Sequence, residues 1–399
     1  MKSLFRIAIC TLAFLVLVIV CYAQHYTQTN LVSNTADTVR ATDNQLVNAW
    51  GLARSSGSAW WIADEGAGLS TLYNGVGTKQ SLVVVIPAAD PTKSPLGSPT
   101  GTVFNGSTTD FLLAPGAPAT FIFSTMDGTI AGWNAMVGLA QGAPPPSTHA
   151  TTVVKTADGS AYTGLTIAQI EGETYLFAAN FAKGRIDVFD SSFKPVKLPQ
   201  LPFENGDLEG RGHSFATPFT DETLPDFFVP FNVQAIGDNL VVTYVQHLLG
   251  FPFETDGPGL GFVDIYTPSG QLVRRLEHGD WLNAPWGVAL APLDFGRFSH
   301  DLLVGQFAGG GNTQSSGFIA AYDMVTGRFD GLLEDATGKP IAIIGIWSIS
   351  PGNASPGNAD PSAAPAAQLY FTAGPNQGTG GLFGYLTAVP SELTEGNGQ

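Results

Sequence analysis

Apolar residues occur along this chain mainly in short runs that Gly and Pro interrupt. Examples are WWIAD at 60–64, FIFST at 121–125 and LVVTYV at 240–245. Runs of this length, rich in Val, Ile, Phe and Tyr and bounded by turn residues, are typical of β-strands. Long amphipathic patterns with a charged face, which would indicate helices, are hard to find. The pattern therefore predicts an all-β fold.

One heptapeptide outline recurs six times, with Gly first, alternating apolar residues next and an aromatic residue five positions after the Gly. The six glycines are Gly68, Gly128, Gly184, Gly261, Gly317 and Gly381. The residues five positions later are Tyr73, Trp133, Phe189, Tyr266, Tyr322 and, in the last copy, Leu386. We expect the Gly to provide a positive φ or a close backbone approach. We expect the large side chain to fill the space between neighbouring sheets.

Two apolar segments precede each heptapeptide, and a fourth follows most of them. Six units of four short strands predict a six-bladed β-propeller with four-stranded antiparallel blades. The last unit has only three strands before the polar tail at 391–399. The segment YTQTNLVS at 26–33 is a strand without a unit of its own. We predict that this N-terminal strand completes the last blade and so closes the ring and removes two exposed edges.

The first 23 residues have the layout of a secretory signal peptide: Lys2 and Arg6, an apolar run, and a small residue at Ala23. A retained membrane anchor is the alternative, but the run is near the lower limit for spanning, about 17 residues. We therefore expect cleavage near Ala23, an exported protein, periplasmic or extracellular, and no stable membrane insertion afterwards. A single propeller domain would span 24–390, with a long inter-blade insertion at about 191–229.

Charge and cysteine content narrow the possible partners. The net charge is −16, and no cluster of Lys and Arg occurs. An acidic surface repels phosphate backbones, so nucleic acid is not expected as a partner. Both cysteines, Cys10 and Cys21, lie in the predicted signal peptide. The mature chain would therefore contain no disulfide and would depend on burial for its stability.

Several segments carry a resemblance to a known family, chiefly LVNAWGLA at 46–53 and LNAPWGVALAPLDFGRFSHDLLVG at 282–305. They resemble an uncharacterised family of secreted bacterial proteins that is related to the NHL-type six-bladed propellers. The resemblance covers essentially the whole chain after the signal peptide. It implies a propeller fold and an exported location, and it implies no particular activity.

Polar residues at the predicted channel mouth are the first candidates for chemistry. Alignment of the six units places Asp64, Glu65, Asn180 and Asn232 where second strands end or innermost strands begin. Their oxygens suit a hard cation, so Asp64, Asn180 and Asn232 are candidate Ca²⁺ ligands. A carboxylate such as Glu65 would then activate water in a divalent-cation-dependent hydrolase or lactonase. The same groups could instead hydrogen-bond to loop backbone inside the channel.

Three tryptophans, Trp50, Trp286 and Trp347, stand at the starts of innermost strands. Such rings could stack on a sugar or an apolar ligand, or they could simply pack between blades. We therefore expect a binding scaffold that presents this face to a small molecule, a glycan or a protein. The calcium-dependent hydrolase is the alternative. A quinoprotein-like oxidoreductase ranks last, because only Lys183 and Arg185 could supply the basic groups that its cofactor needs.

Overall fold

The computed structural model describes residues 24–35, 39–202, 215–249, 253–307, 317–353 and 363–392. The predicted signal peptide and most of the predicted tail, 393–399, lie outside these ranges. Within the ranges, helical structure is limited to four three-residue 3-10 turns, at Glu65–Ala67, Phe181–Lys183, Gly296–Phe298 and Pro390–Glu392. None of the described helical segments is long and apolar enough to cross a membrane.

Six four-stranded antiparallel sheets surround a central channel, which confirms the six-bladed propeller. From the innermost strand outward, blade 1 contains Ala49–Ala53, Trp60–Asp64, Leu69–Tyr73 and Lys79–Val85; blade 2 contains Pro99–Phe104, Phe121–Thr125, Thr129–Trp133 and Thr151–Lys155; blade 3 contains Tyr162–Ile170, Glu173–Asn180, Arg185–Asp190 and Pro195–Val196. Blade 4 contains Phe228–Ile236, Asn239–Gln246, Gly261–Tyr266 and Leu272–Arg275; blade 5 contains Pro285–Leu290, Leu302–Gln306, Ile319–Tyr322 and Phe329–Leu332; blade 6 contains Ile346–Pro351, Leu369–Ala373, Leu382–Ala388 and Tyr26–Ser33.

Five shorter strands lie outside this pattern. Ala41–Thr42 pairs in parallel with the outermost strand of blade 6. Leu112–Ala114 pairs with Ala117–Pro118, and Leu201–Pro202 pairs with Phe215–Ala216.

The N-terminal strand closes the ring as predicted. Tyr26–Ser33 pairs antiparallel with Leu382–Ala388, so the outermost strand of blade 6 comes from the opposite end of the chain. The Tyr26 hydroxyl donates a hydrogen bond to the Phe295 carbonyl, 2.9 Å away, and so ties the closing strand to blade 5. Hydrogen bonds between distant parts of the sequence therefore hold the two ends together.

Six hydrophobic clusters fill the six seams between neighbouring blades. Each seam contains the large residue of one heptapeptide: Tyr73, Trp133, Phe189, Tyr266, Tyr322 or Leu386, all of them buried. The predicted spacer role is therefore confirmed. A single blade cannot bury both of its faces, and closing the ring gives every sheet two neighbours to pack against.

Two reasons favour Gly at the first position of the heptapeptide, and Gly184 and Gly381 show one each. Gly184 has a φ of 62°, a left-handed conformation that residues with a Cβ seldom adopt. A Cβ on Gly381 would lie only 1.9 Å from the Leu46 carbonyl oxygen, so this Gly permits a close approach of two backbones.

The predicted insertion at 191–229 overlaps regular structure at both ends. Pro195–Val196 is the outermost strand of blade 3, and Phe228 begins the innermost strand of blade 4. The connection between these strands is therefore 197–227, and its residues 203–214 lie outside the described ranges. Its Asp221 forms an ion pair with Arg275 of blade 4, whose Nε also lies 3.0 Å from Asp264 Oδ1. The ion pair with Asp221 anchors the connection to the blade, and Asp264 holds Arg275 in place within the blade.

Candidate functional site

The innermost strands share an irregularity beside the channel. Pairing with the second strand shifts register within this strand in every blade, for example between Ala49 and Leu52 and between Ile346 and Ile349. A bulge of this kind re-aims side chains. In four blades Gly lies at this point, and a Cβ on Gly51 would come within 2.3 Å of the Thr100 carbonyl oxygen of the next blade. The bulge therefore lets adjacent innermost strands approach closely around the channel.

Aromatic rings pack together at this level of the channel. The Trp347 ring lies between two others, with centroids 3.6 Å from Trp50 and 3.7 Å from Phe307 and interplanar angles of 12° and 15°. Trp286 meets Trp50 and Trp347 edge-on, at 6.2 and 6.0 Å. Phe231 also approaches Trp347 edge-on, at 5.9 Å. We call these five residues the aromatic cluster; they are all buried.

Hydrogen bonds fix the orientation of two of the indoles. Trp347 Nε1 donates to Asn48 Oδ1 at 2.8 Å, and Asn48 Nδ2 donates to Glu65 Oε2 at 2.9 Å. Trp286 Nε1 donates across the channel to the Thr163 carbonyl at 2.9 Å. Trp50 Nε1 is buried and has no partner within the described part of the chain.

A cavity of about 510 Å³ opens on one side of the aromatic cluster. We call it the mouth pocket, because its walls come from the loops that leave second strands and enter innermost strands. All six blades contribute to it: Asn48, Trp50 and Glu65; Met126; Thr163 and Phe181; Phe231, Phe253 and Glu254; Phe307; and Trp347, Gln377 and Gly378. Its described lining includes six aromatic side chains and only two ionisable ones, Glu65 and Glu254. Burial, and secondarily the nearby Asp256 carboxylate, raises the pKa of Glu254.

A second cavity, of about 290 Å³, lies along the same innermost strands toward the opposite face. We call it the lower cavity. Its lining includes Leu52, Asn232, Gln234, Trp286 and Ser350, and no ionisable side chain is present in its described lining. The two cavities share no lining residue.

The seven residues predicted for the channel mouth occupy three different environments. Trp50, Glu65 and Trp347 line the mouth pocket. Asn232 and Trp286 line the lower cavity. Asp64 and Asn180 line neither cavity and are fully buried within their blades. The structure therefore does not bring all seven side chains together at one surface.

Asp64 and Asn180 make local contacts at the ends of their second strands. Asp64 Oδ2 accepts a hydrogen bond of 2.9 Å from the Thr71 backbone N–H, while Asp64 Oδ1 has no partner among the described residues. Burial raises the pKa of Asp64 well above its ordinary value. Asn180 Nδ2 donates to Ser160 Oγ at 2.9 Å and to Asp187 Oδ2 at 2.7 Å. Both side chains thus bond to groups within or next to their own blades.

The chain turns toward the pocket one residue after the second strand ends. Asp64 and Asn180 are the last residues of their strands, and the next residues, Glu65 and Phe181, begin three-residue 3-10 turns. The residues one position later in four blades, Glu65, Met126, Phe181 and Phe307, all line the mouth pocket. Counting one residue past the strand end would therefore have found Phe181 and Phe307. No sequence signal identified Asn48 or Glu254, which lie in loops.

The candidate calcium ligands do not form a ready-made metal centre. Asn232 Nδ2 donates to the Trp286 carbonyl at 2.8 Å, and its Oδ1 accepts from the Val233 N–H at 2.8 Å. In the part of the chain that the structure describes, no group of three or more His, Cys, Asp or Glu side chains could hold a metal ion. A calcium site at Asp64, Asn180 and Asn232 stays a prediction.

Comparisons with known proteins place the chain among uncharacterised relatives. No family model matches it. One uncharacterised protein of Acanthamoeba polyphaga mimivirus is 30% identical over 235 residues, which are 59% of this chain but only 38% of the viral protein. A second from the same virus is 28% identical over 358 residues, covering 89% of this chain and 78% of the relative. The chain thus matches well under half the length of the first relative. These relatives are viral, and the bacterial and exported setting stays an expectation.

Among solved structures, the chain is similar to a streptogramin B lyase, with a TM-score of 0.46 and 10% identity over 92% of this chain and 98% of the lyase. It is also similar to virginiamycin B lyase from Staphylococcus aureus with quinupristin, with a TM-score of 0.42 and 12% identity over 92% and 100% of the two chains. At these scores and identities the likeness says nothing about activity.

Proposed function

We propose that the protein is a binding propeller whose mouth pocket takes up a small organic molecule with an apolar or aromatic body. The observation that carries this proposal is the cavity of about 510 Å³ with six aromatic side chains in its lining. Ligand sites for small molecules are concave, mostly apolar and roughly 300–1,000 Å³ in volume. A protein partner would more often use a flatter surface, so we favour a small molecule over a protein.

The rigidity of the aromatic wall supports this proposal. Trp347 is held between two parallel rings and is hydrogen-bonded to Asn48. A wall that is already ordered loses little conformational entropy when a ligand binds, and this saving favours affinity. The few polar groups in the lining, such as Thr163 and Gln377, would orient the ligand.

The exported setting belongs to the same proposal. The leader-like residues 1–23 support it, with cleavage near Ala23 and a ligand met outside the cytoplasm. A glycan that stacks on the tryptophans is an outcome that a ligand screen would reveal.

A screen of small aromatic and aliphatic compounds, followed by thermal shift and ligand-observed NMR, tests the binding function. Phe253 is 67% exposed at the rim, so Phe253→Ala should leave the fold intact. The same change should lower the affinity for bound compounds several-fold. Gln234→Ala in the lower cavity is the matched control and should leave their affinity unchanged. Compounds that bind both variants equally, or no bound compound at all, would contradict the proposal.

A calcium-dependent hydrolase is kept as a second candidate on one observation. Asp64 Oδ1 is a buried carboxylate oxygen without a partner among the described residues, and such an atom could be a cation ligand. In that case Glu65, which accepts a hydrogen bond from Asn48, would be the group that activates water. Thermal unfolding with calcium and with a chelator tests it. A rise in melting temperature that Asp64→Asn abolishes supports a calcium site, and no rise argues against it.

A further inference from the structure

The ionisable side chains in the described lining of the mouth pocket all have the same sign of charge. Glu65 and Glu254 are the ionisable residues of its described lining, and both are acidic. Neither pairs with Lys or Arg within the described ranges. The chain as a whole has a net charge of −16, so the surrounding field has the same sign. A ligand with a negative group would meet repulsion here, and a positive group would meet attraction.

Glu254 sits in an environment that disfavours its charge. Phe253 precedes it, and the pocket beside it is largely aromatic. Burial, and secondarily the nearby Asp256 carboxylate, raises the pKa of Glu254. Placing an unpaired carboxylate against apolar groups costs free energy unless a charged partner compensates for the lost hydration. A cation inside the pocket would supply that partner. The arrangement is costly for the empty protein and favourable when a positive ligand is bound.

Glu65 is held in place by the aromatic cluster itself. Its Oε2 accepts from Asn48 Nδ2, and Asn48 Oδ1 accepts from Trp347 Nε1. The Asn48 side chain fits against Gly374, where a Cβ would lie 1.9 Å from Asn48 Oδ1. The chain of contacts fixes the Glu65 carboxylate at the same wall as the stacked tryptophans. A positive group near this wall would meet a carboxylate and aromatic rings together.

Aromatic rings add to the preference for positive charge. The face of Trp, and to a lesser degree of Phe, attracts a cation. The described lining contains Trp50, Trp347 and four phenylalanines. Trp50 and Phe307 cover the two faces of Trp347, so the faces that meet a cation come from the other rings. A compact, strongly hydrated ion gains little from such rings, whereas an alkylated ammonium group can bury its carbons against them.

We propose that the ligand of the mouth pocket is an organic cation, an amine or quaternary ammonium with an apolar body, bound between Glu65, Glu254 and the aromatic wall. This inference rests on the proposed small-molecule function and names its ligand class. The volume of about 510 Å³ leaves room for a body larger than the cationic group alone.

Two probes of equal shape and different charge test the inference. Phenyltrimethylammonium is a cation, and tert-butylbenzene is its neutral isostere. Titration of the mature protein, followed by tryptophan fluorescence and ligand-observed NMR, should show the cation binding about tenfold more tightly than the isostere. The anion 4-tert-butylbenzoate should bind more weakly than either of them.

Charge-removing variants locate the effect. Glu254→Gln and Glu65→Gln should each lower the affinity for phenyltrimethylammonium about fivefold or more. The affinity for tert-butylbenzene should stay unchanged in both variants. Gln at 65 can still accept the hydrogen bond from Asn48, so the wall should stay ordered. Glu173→Gln is the control. Glu173 is exposed in the first hairpin of blade 3, so this variant removes the same charge at the opposite face. Circular dichroism and melting temperature check that each variant folds.

The outcomes distinguish failure of the proposed cation class from failure of the proposed small-molecule function. Equal affinity for the cation and its isostere, or unchanged cation affinity in both Gln variants, would overturn the cation class and leave the pocket as a binding site. If neither these probes nor any compound of the wider screen binds, the proposed small-molecule function itself is wrong.

Discussion

The two ends of the channel are built on the same innermost strands and yet differ in chemistry. Among the residues that the structure describes, the mouth pocket has two carboxylates and six aromatic side chains, whereas the lower cavity is lined by aliphatic, hydroxyl and amide groups and one Trp. In blade 6, Trp347 lines the mouth pocket, and Ser350 on the same strand lines the lower cavity. The bulge lies between the two ends. We infer that the scaffold is shared and that ligand chemistry is concentrated at the end where long loops enter and leave.

Removing the central ring of the stack should have the largest effect. Trp347→Ala takes away contacts with Trp50 and Phe307 and leaves a cavity, so the free energy of unfolding should fall by about 3–5 kcal/mol. Chemical denaturation measures this. Ser350→Ala, on the same strand at the lower end, should cost well under about 1 kcal/mol. Equal losses at the two positions would erase the difference between the ends.

Filling the space beside Asn48 should have a smaller effect. A Cβ on Gly374 would lie 1.9 Å from Asn48 Oδ1 and 2.9 Å from Trp347 Nε1, so Gly374→Ala must displace one of them. We expect a loss of about 1–3 kcal/mol and weaker binding of phenyltrimethylammonium. Gly57→Ala is the control, because nothing lies within 4 Å of its added Cβ. A well-folded Gly374→Ala variant with normal binding would show that Asn48 does not position Glu65.

Buried charge at the mouth end should make stability depend on pH. The pKa of Asp64 is raised in the fold by burial, so its stabilising contribution is complete below its unfolded pKa and is lost as pH rises through its folded pKa. Relative to the wild type, Asp64→Asn should therefore gain about 1.4 kcal/mol for each pH unit between these two values. Urea denaturation over a pH series measures the gain. Ser350→Ala at the lower end changes no titratable group and should follow the wild-type pH curve.

Ligand affinity should show the smallest and most specific effect. Because burial raises the pKa of Glu254, it takes up a proton at a higher pH than an ordinary Glu, and the affinity for phenyltrimethylammonium should fall as pH decreases through that pKa. The probe itself does not titrate. Glu65, Asp256 and His247 also lie at or near the pocket, so Glu254→Gln is the decisive comparison. If the profile stays unchanged in that variant, the dependence belongs to another of these groups.

Much of the architecture was predictable because it depends on local sequence patterns. The recurring Gly and the large residue five positions later gave six blades, and both were needed: Gly184 has a left-handed backbone, and Tyr73 fills a seam. The count of strands gave the closure by Tyr26–Ser33. Trp50, Glu65 and Trp347 were placed at the mouth because strand starts and ends repeat with the blades.

The remaining site residues were displaced or missed for geometric reasons. Asp64 and Asn180 are predicted at the mouth, but both are fully buried at the ends of their second strands, and the residues that follow them, Glu65 and Phe181, line the pocket. The chain leaves the strand for a 3-10 turn at this point, so the strand pattern does not indicate which side chain enters the channel. Glu254 lies in a loop without periodicity, so neither spacing nor alternation could assign it.

By itself, the sequence determined the all-β class, the number of blades and the strand that closes the ring. The class and the blade number depend on contacts within a repeat, which the spacing of apolar residues and glycines records. The closing strand follows from the count of strands, because the last unit is one strand short. Only the tertiary structure decided which side chains share a cavity. Asn48 and Gly378 meet at the mouth pocket although they stand at opposite ends of the chain, because closing the ring places blades 1 and 6 side by side. The lower cavity likewise takes its lining from blades 1, 4, 5 and 6, which no single repeat records.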